Sequence, residues 1–212
     1  MVNSMKKWFL FTIGCILLAG CTAKESQNPN PPVSQQPPNE KTVTIEDYYP
    51  LENKTYTFKG EGNEFAAYKE SFFTKVDNYL PAIIENGGTR IFKVYELAED
   101  GIFVVFEQGE YYEETPPPID SVKSQFDRTP LLTNPLSVGA TFDGWEIIKI
   151  DERMVLPIGE VNNVIVVEQK DEENHTVITN YLAPGYGKIK QEFVSTEGDG
   201  EFKVVSEVEK VE

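Results

Sequence analysis

The strongest nucleophiles and bases in this chain are few: two cysteines, Cys15 and Cys21, and one histidine, His175. Cys21 follows Leu18-Ala19-Gly20. A thiolate is a good nucleophile for alkylation, and small residues at Ala19 and Gly20 fit a narrow peptidase cleft. Cys15 lies inside an apolar run and has no evident structural role. His175 follows a turn between Asn174 and Thr176. A hydrolase would need it near a nucleophile and an orienting acid, but no Gly-x-Ser-x-Gly stretch supplies that nucleophile, so it reads as a surface histidine at a hairpin end. Two acid-rich turns, Asp171-Glu172-Glu173 and Glu197, Asp199 and Glu201, offer oxygens. Calcium takes six to eight, in an EF-hand with a fixed order that neither stretch matches, so both read as solvated turns. A glycosidase pair needs two placed carboxyls, commonly from distant strands, and none of the 35 acidic residues is marked for it. The chemistry therefore points to no enzyme, no metal and no cofactor.

The residues before Cys21 explain its position. Lys6 and Lys7 precede an apolar run, Trp8 to Leu18, interrupted by Thr12 and Gly14. Charge, apolar run and small residues in that order form a secretory signal. The run is shorter than the ~20 residues of a membrane span. Leu18-Ala19-Gly20-Cys21 resembles the lipobox of bacterial lipoproteins. That resemblance implies a diacylglyceryl group on Cys21, cleavage in front of it, further acylation of the palmitate kind, and anchoring on the extracytoplasmic face of the cell membrane. One acyl chain binds a bilayer marginally and two bind durably, since each buried methylene contributes ~0.8 kcal/mol. Residues 1–20, the signal helix, are thus set aside from the fold.

Composition narrows the partners. The net charge of −16 becomes −18 when Lys6 and Lys7 leave with residues 1–20. Such a chain repels phosphate backbones, which excludes nucleic acid as an expected partner, and it stands off from anionic headgroups. One cysteine leaves and the other is lipidated, so the exported domain has no disulfide, no thiol catalysis and no cysteine-bound zinc. Residues 21–42 hold Pro29, Pro31, Pro32, Pro37 and Pro38 among Asn, Gln and Ser. They bury too little to offset ordering and form a disordered linker. Twenty such residues span about 25 Å as a coil and about 60 Å as polyproline II.

Residues 43–212 read as one β-rich domain. Aromatic and β-branched runs recur between Gly, Asn and Asp. Ten strands are expected: Thr55–Lys59, Glu64–Lys75, Tyr79–Glu85, Thr89–Ala98, Ile102–Gln108, Gly144–Val155, Val164–Lys170, Thr176–Leu182, Lys188–Ser195 and Glu201–Val208. Asn86-Gly87-Gly88 and Glu99-Asp100-Gly101 mark hairpins. Alternation sets Phe202, Val204, Ser206 and Val208 against Lys203, Glu207 and Glu209, and Ile189 and Phe193 against Lys188, Lys190 and Glu192. One or two helical turns are expected over Ile119 to Phe126, capped by Asp120 or Ser121. The fold class is mainly β: an antiparallel curved sheet, half-barrel or barrel with little helix, with the Pro116–Pro135 region as a crossover between five strands and five.

Aromatic residues crowd the first half: Phe65, Tyr68, Phe72, Phe73, Phe92, Tyr95, Phe103, Phe106, Tyr111 and Tyr112. They read as core, or as the lining of a sheet curved round an apolar ligand. Tyr111 and Tyr112, beside Pro116 to Pro118, are the expected contact residues for a ligand or partner. Tyr48-Tyr49-Pro50-Leu51 with Thr55 to Phe65, and Tyr181 to Lys190, are similar to segments of lipoproteins from Gram-positive spore-forming bacteria. Asn86 to Thr89 and Pro135 to Gly139 share that similarity. Tyr56 and Phe58 stand where that group carries a tryptophan and a second aromatic. A looser resemblance links the chain to half-barrels that carry lipoproteins, which implies a concave apolar sheet and, at fold level only, an acyl ligand. The reading is a non-catalytic envelope module that binds an envelope protein or an apolar ligand. A lipid or lipoprotein carrier and an enzyme with an unmarked carboxylate site are the alternatives.

Overall fold

The computed structural model describes residues 43–198 and 200–212. Cys21, Leu18, Ala19, Gly20, the linker and Asp199 lie outside the described residues. The strands are β1 (Lys54–Glu61), β2 (Tyr68–Phe72), β3 (Tyr79–Glu85), β4 (Arg90–Ala98), β5 (Gly101–Gln108), β6 (Thr129–Thr133), β7 (Thr141–Phe142), β8 (Trp145–Leu156), β9 (Gly159–Asp171), β10 (Thr176–Ala183), β11 (Gly187–Ser195) and β12 (Phe202–Val211). All twelve form one antiparallel sheet in the order β6-β5-β4-β3-β2-β1-β12-β11-β10-β9-β8-β7. Two six-strand meanders are thus joined where β1 pairs with β12, Phe58 opposite Val208 and Gly60 opposite Ser206. The free edges β6 and β7 come back beside each other. The result is a nearly closed barrel with a seam.

Each of the ten expected strands is present, and two more complete the ring. Pro130 sits in β6, where an edge strand tolerates a missing donor, and β7 is only two residues long; neither makes a sequence signal. The halves are therefore six and six, and the proline-rich region wraps the barrel instead of crossing it. β2 is shorter than expected because the Asn63 side chain accepts the Phe65 amide at 2.8 Å and folds residues 62–67 into a turn. The expected helix is one turn of α-helix, α1 (Ile119–Val122), followed by a 3-10 turn, Lys123–Gln125. Neither Asp120 nor Ser121 caps it: Pro118 holds that position, and the Ser121 hydroxyl donates back to the Pro118 carbonyl at 2.6 Å.

The aromatic residues serve two cores on opposite faces of the same strands. Tyr56, Phe58, Phe72, Tyr95, Leu97 and Ile102 point into the barrel. Phe92, Val94, Phe103 and Val105 point outward, under a strap formed by residues 109–128 whose Tyr111, Ile119 and Val122 cover them. This is why β5 reads as an almost continuous apolar run: it is buried on both faces.

Both mouths of the barrel are narrowed. In a meander, the β4–β5 and β10–β11 turns lie at one end. There the 3-10 turn Ile45–Tyr48 and the residues after it lie across the opening: Tyr48 donates to the Asn163 carbonyl at 2.7 Å, Tyr49 to the Ala98 carbonyl at 2.8 Å, and the Gly185 amide to the Asp47 carbonyl at 2.6 Å. Ile45 and Tyr48 join the inner core. Burial raises the Tyr49 hydroxyl to about 12, so this latch stays protonated at neutral pH. At the other end the 62–67 turn tucks inward, its Ala66 carbonyl accepting the buried Ser206 hydroxyl at 2.7 Å.

Candidate functional site in the barrel lumen

Between the two narrowed mouths the lumen keeps a cavity of about 210 Å³. Its wall is mixed. Phe72, Ile102, Val104, Leu131 and Leu182 supply apolar surface; Glu70, Lys93, Lys188, Asn180 and Gln191 supply polar groups. Leu131 on β6 and Trp145 at the start of β8 place the cavity beside the seam.

The polar groups reach the lumen through strand parity and one irregularity. On β2, Glu70 lies between Tyr68 and Phe72 in the alternation and shares the inward face; it is 3% exposed. On β4, Lys93 and Tyr95 face inward. On β11, a bulge opposite Tyr181 and Leu182 shifts the register, so Lys188 stands opposite Leu182 and lines the lumen while Lys190 stands opposite Tyr181. The expected face shared by Lys188, Lys190 and Glu192 is therefore split. Lys190 and Glu192 remain outside, in a ladder of Lys59–Glu207, Lys190–Glu207, Lys190–Glu192 and Lys203–Glu192 pairs at 3.2, 3.7, 2.8 and 3.2 Å. A one-residue bulge reverses every later side chain.

Within the lumen the groups are unevenly satisfied. Tyr95 donates to Glu70 Oε1 at 2.5 Å. Lys93 pairs with Glu107 at 2.9 Å. Gln191 Nε2 donates to Asn180 Oδ1 at 2.8 Å. Lys188 has no hydrogen bond or ion pair among the described residues; its ammonium lies 6.0 Å from the Tyr68 ring centroid. The Tyr68 hydroxyl is itself buried without a partner among them. Burial depresses the Lys188 pKa; Glu70 opposes that shift and Lys93 adds to it. Burial, and then the Glu70 charge, raise both the Tyr95 and the Tyr68 hydroxyls.

The sign of the Lys188 shift gives a pH test. Below the depressed native value the ammonium is charged in both states, and its desolvation penalty is fully present. Between that value and the ordinary lysine pKa of ~10.4, the unfolded chain binds more protons, so stability rises with pH. The charges that act on Lys188 are those of Glu70, Lys93 and Glu107, and the Tyr68 ring lies 6.0 Å from its ammonium. Lys188→Met removes the penalty. The variant is expected to be the more stable protein at neutral pH, with its advantage over wild type shrinking as pH rises across that window. Urea unfolding of both proteins at several pH values measures this; an advantage that stays constant with pH would refute it.

The sequence-derived candidates lie elsewhere. Tyr111 is buried at 8% exposure, its hydroxyl bonded to the Thr115 carbonyl and its ring 5.1 Å from Phe92, so it holds the strap down. Tyr112 is 66% exposed and bonds Glu110. His175 is exposed in the β9–β10 turn, at a positive φ of 51°. Asp171 closes that turn by accepting the Asn174 amide and side chain at 3.0 and 2.7 Å, bonds that lower its pKa. Among the described residues no three acidic, histidine or cysteine side chains are grouped to hold a metal ion. Glu70 and Lys188 were missed. The signal for Glu70 was a charge in phase with aromatics; for Lys188 there was none, because the bulge is set by pairing with β10.

No protein-family model matches the chain, and no curated protein matches it significantly; neither comparison supports the resemblance to lipoproteins of spore-forming bacteria. Among solved structures, a provisionally assigned exported protein with a YmcC-like fold from Bacteroides fragilis is similar at a TM-score of 0.46 and 10% identity, over 77% of this chain and 97% of that one. A provisionally assigned lipoprotein from Parabacteroides distasonis is similar at 0.43 and 12%, over 78% and 98%. Both likenesses are too distant to inform the site.

Proposed function

We propose that this chain is an extracytoplasmic lipoprotein, held to the membrane through Cys21, whose barrel binds a small ligand in its lumen without turning it over. The observation that carries the binding reading is the cavity itself, where apolar walls surround the Lys188 ammonium and the Glu70 carboxyl, which form no ion pair with each other. Pockets with a few convergent polar groups on an apolar wall are the usual form of a small-molecule site. The anchor rests on the Lys6-Lys7, apolar-run and Leu18-Ala19-Gly20-Cys21 order.

The alternatives fit less well. A lipid carrier needs a long, unbroken apolar channel; this cavity is smaller than the ~300–1,000 Å³ that drug-sized ligands occupy, and Glu70 and Lys188 interrupt it. A two-carboxyl hydrolase needs a partner for Glu70, which is the one buried carboxyl among the described residues.

Cys21→Ala is expected to leave the protein uncleaved or to release it into the medium, read by fractionation and intact mass. A variant that stayed processed and membrane-bound would overturn the anchor. For the lumen, native mass spectra of the detergent-solubilised protein should show a small adduct that Leu182→Trp abolishes; an adduct indifferent to that substitution would place binding elsewhere.

A further inference from the structure

We infer that the lumen ligand is a small zwitterion, an α-amino acid with an apolar side chain, its ammonium on Glu70 and its carboxylate on Lys188. The inference rests on the lumen-binding reading and names the chemistry of its ligand. Two opposite charges face one cavity, and neither forms an ion pair with the other or with a third residue among the described residues. Tyr95 takes Glu70 Oε1 at 2.5 Å, and Oε2 has no partner among the described residues. Lys188 has none either, and Lys93 is already committed to Glu107 at 2.9 Å. A buried ion left unpaired is costly, and a buried pair with its remaining hydrogen bonds made is not.

Each simpler ligand leaves part of that cost in place. An anion would satisfy Lys188 but face the Glu70 charge. A cation would satisfy Glu70 and face Lys188. An apolar molecule would satisfy neither. A zwitterion satisfies both, and the amides beside Lys188 suit its carboxylate: Gln191 gives one N–H to Asn180 Oδ1 at 2.8 Å, which leaves its second N–H and the Asn180 amide free to donate. The cavity of about 210 Å³ lies below the ~300–1,000 Å³ of drug-sized ligand sites, so it suits a ligand the size of one amino acid. Phe72, Leu182 and Leu131 supply the wall for its side chain.

The test is calorimetric titration of the full-length lipidated protein in detergent with leucine of either hand, isocaproate, isoamylamine and isohexanol. These are the zwitterion and the same skeleton with only a carboxylate, only an amine, or neither charge. Leucine of one hand is expected to bind at least about tenfold more tightly than the other three skeletons. Glu70→Gln should bring leucine down to the affinity of isocaproate without weakening isocaproate, and Lys188→Met should weaken both. Isocaproate or isoamylamine binding as well as leucine would overturn the zwitterion and leave the lumen reading standing. Failure of the whole panel to bind would count against both. The wild-type panel decides the ligand class even if a variant fails to fold.

Discussion

Removal of residues 202–212 is expected to abolish cooperative folding. β12 is the strand on which the ring depends. It pairs with β11 on one side and β1 on the other, and its Val208 and Ser206 point into the barrel among Phe58, Ile189 and the tucked 62–67 turn. Its loss exposes Val208, worth ~1.5–3 kcal/mol, leaves two rows of backbone groups unpaired at ~0.5–1.5 kcal/mol each, and releases the hydrogen bond that holds Ala66. A domain of this size has about 5–15 kcal/mol in total. The truncated chain should show no near-ultraviolet dichroism and no sigmoidal urea transition. A sharp transition at full amplitude would mean that the two six-strand halves are stable apart.

A single methyl group should have the second-largest effect. The side chain of Gly60 would point into the barrel, and a Cβ there would lie 2.1 Å from the Ala67 nitrogen and 2.3 Å from the Ala66 carbonyl carbon. Those are backbone atoms and cannot swing aside. Gly60→Ala must push the 62–67 turn out of the mouth and break the Ser206–Ala66 hydrogen bond. Overpacking costs ~1–3 kcal/mol and the hydrogen bond ~0.5–1.5 kcal/mol, so a loss of about 2–4 kcal/mol is expected, seen as a lower urea midpoint at unchanged slope. Gly109→Ala, where a Cβ meets nothing within 4 Å, is the control and should move the midpoint little. Equal shifts for the two would show that the tucked turn contributes no stability.

Much of the sheet was legible because its turns are short and rich in Gly, Asn and Asp, and because Ser206 and Val208 on β12 keep the expected inward face. What was not legible depends on long-range pairing. β6 and β7 are strands only because β5 and β8 present edges to them. The burial of the strap was not legible because Tyr111, Tyr112 and three prolines look like a surface loop, whereas the outward faces of Phe92 and Phe103 require a cover. The candidate site suffered most. Lys188 was assigned to the solvent by unbroken alternation, and a bulge fixed by β10 turned it inward. Glu70 stood in phase with Tyr68 and Phe72 throughout, and a charge in that position was the available clue to a polar lumen.

The pairing of β1 with β12 also sets an order of events in time. A chain made from its N-terminus releases β1 early, yet the strand that completes β1's outer edge is the last to appear. Until then, β1 offers an unpaired hydrogen-bonding row to any neighbour, including another copy of itself. Closure of the ring also joins the most distant parts of the sequence, the kind of contact that slows folding. Lys59 on β1 meets Glu207 on β12 at 3.2 Å, so the waiting edge carries a charge that deters mispairing and becomes a cross-strand bond when the proper partner arrives.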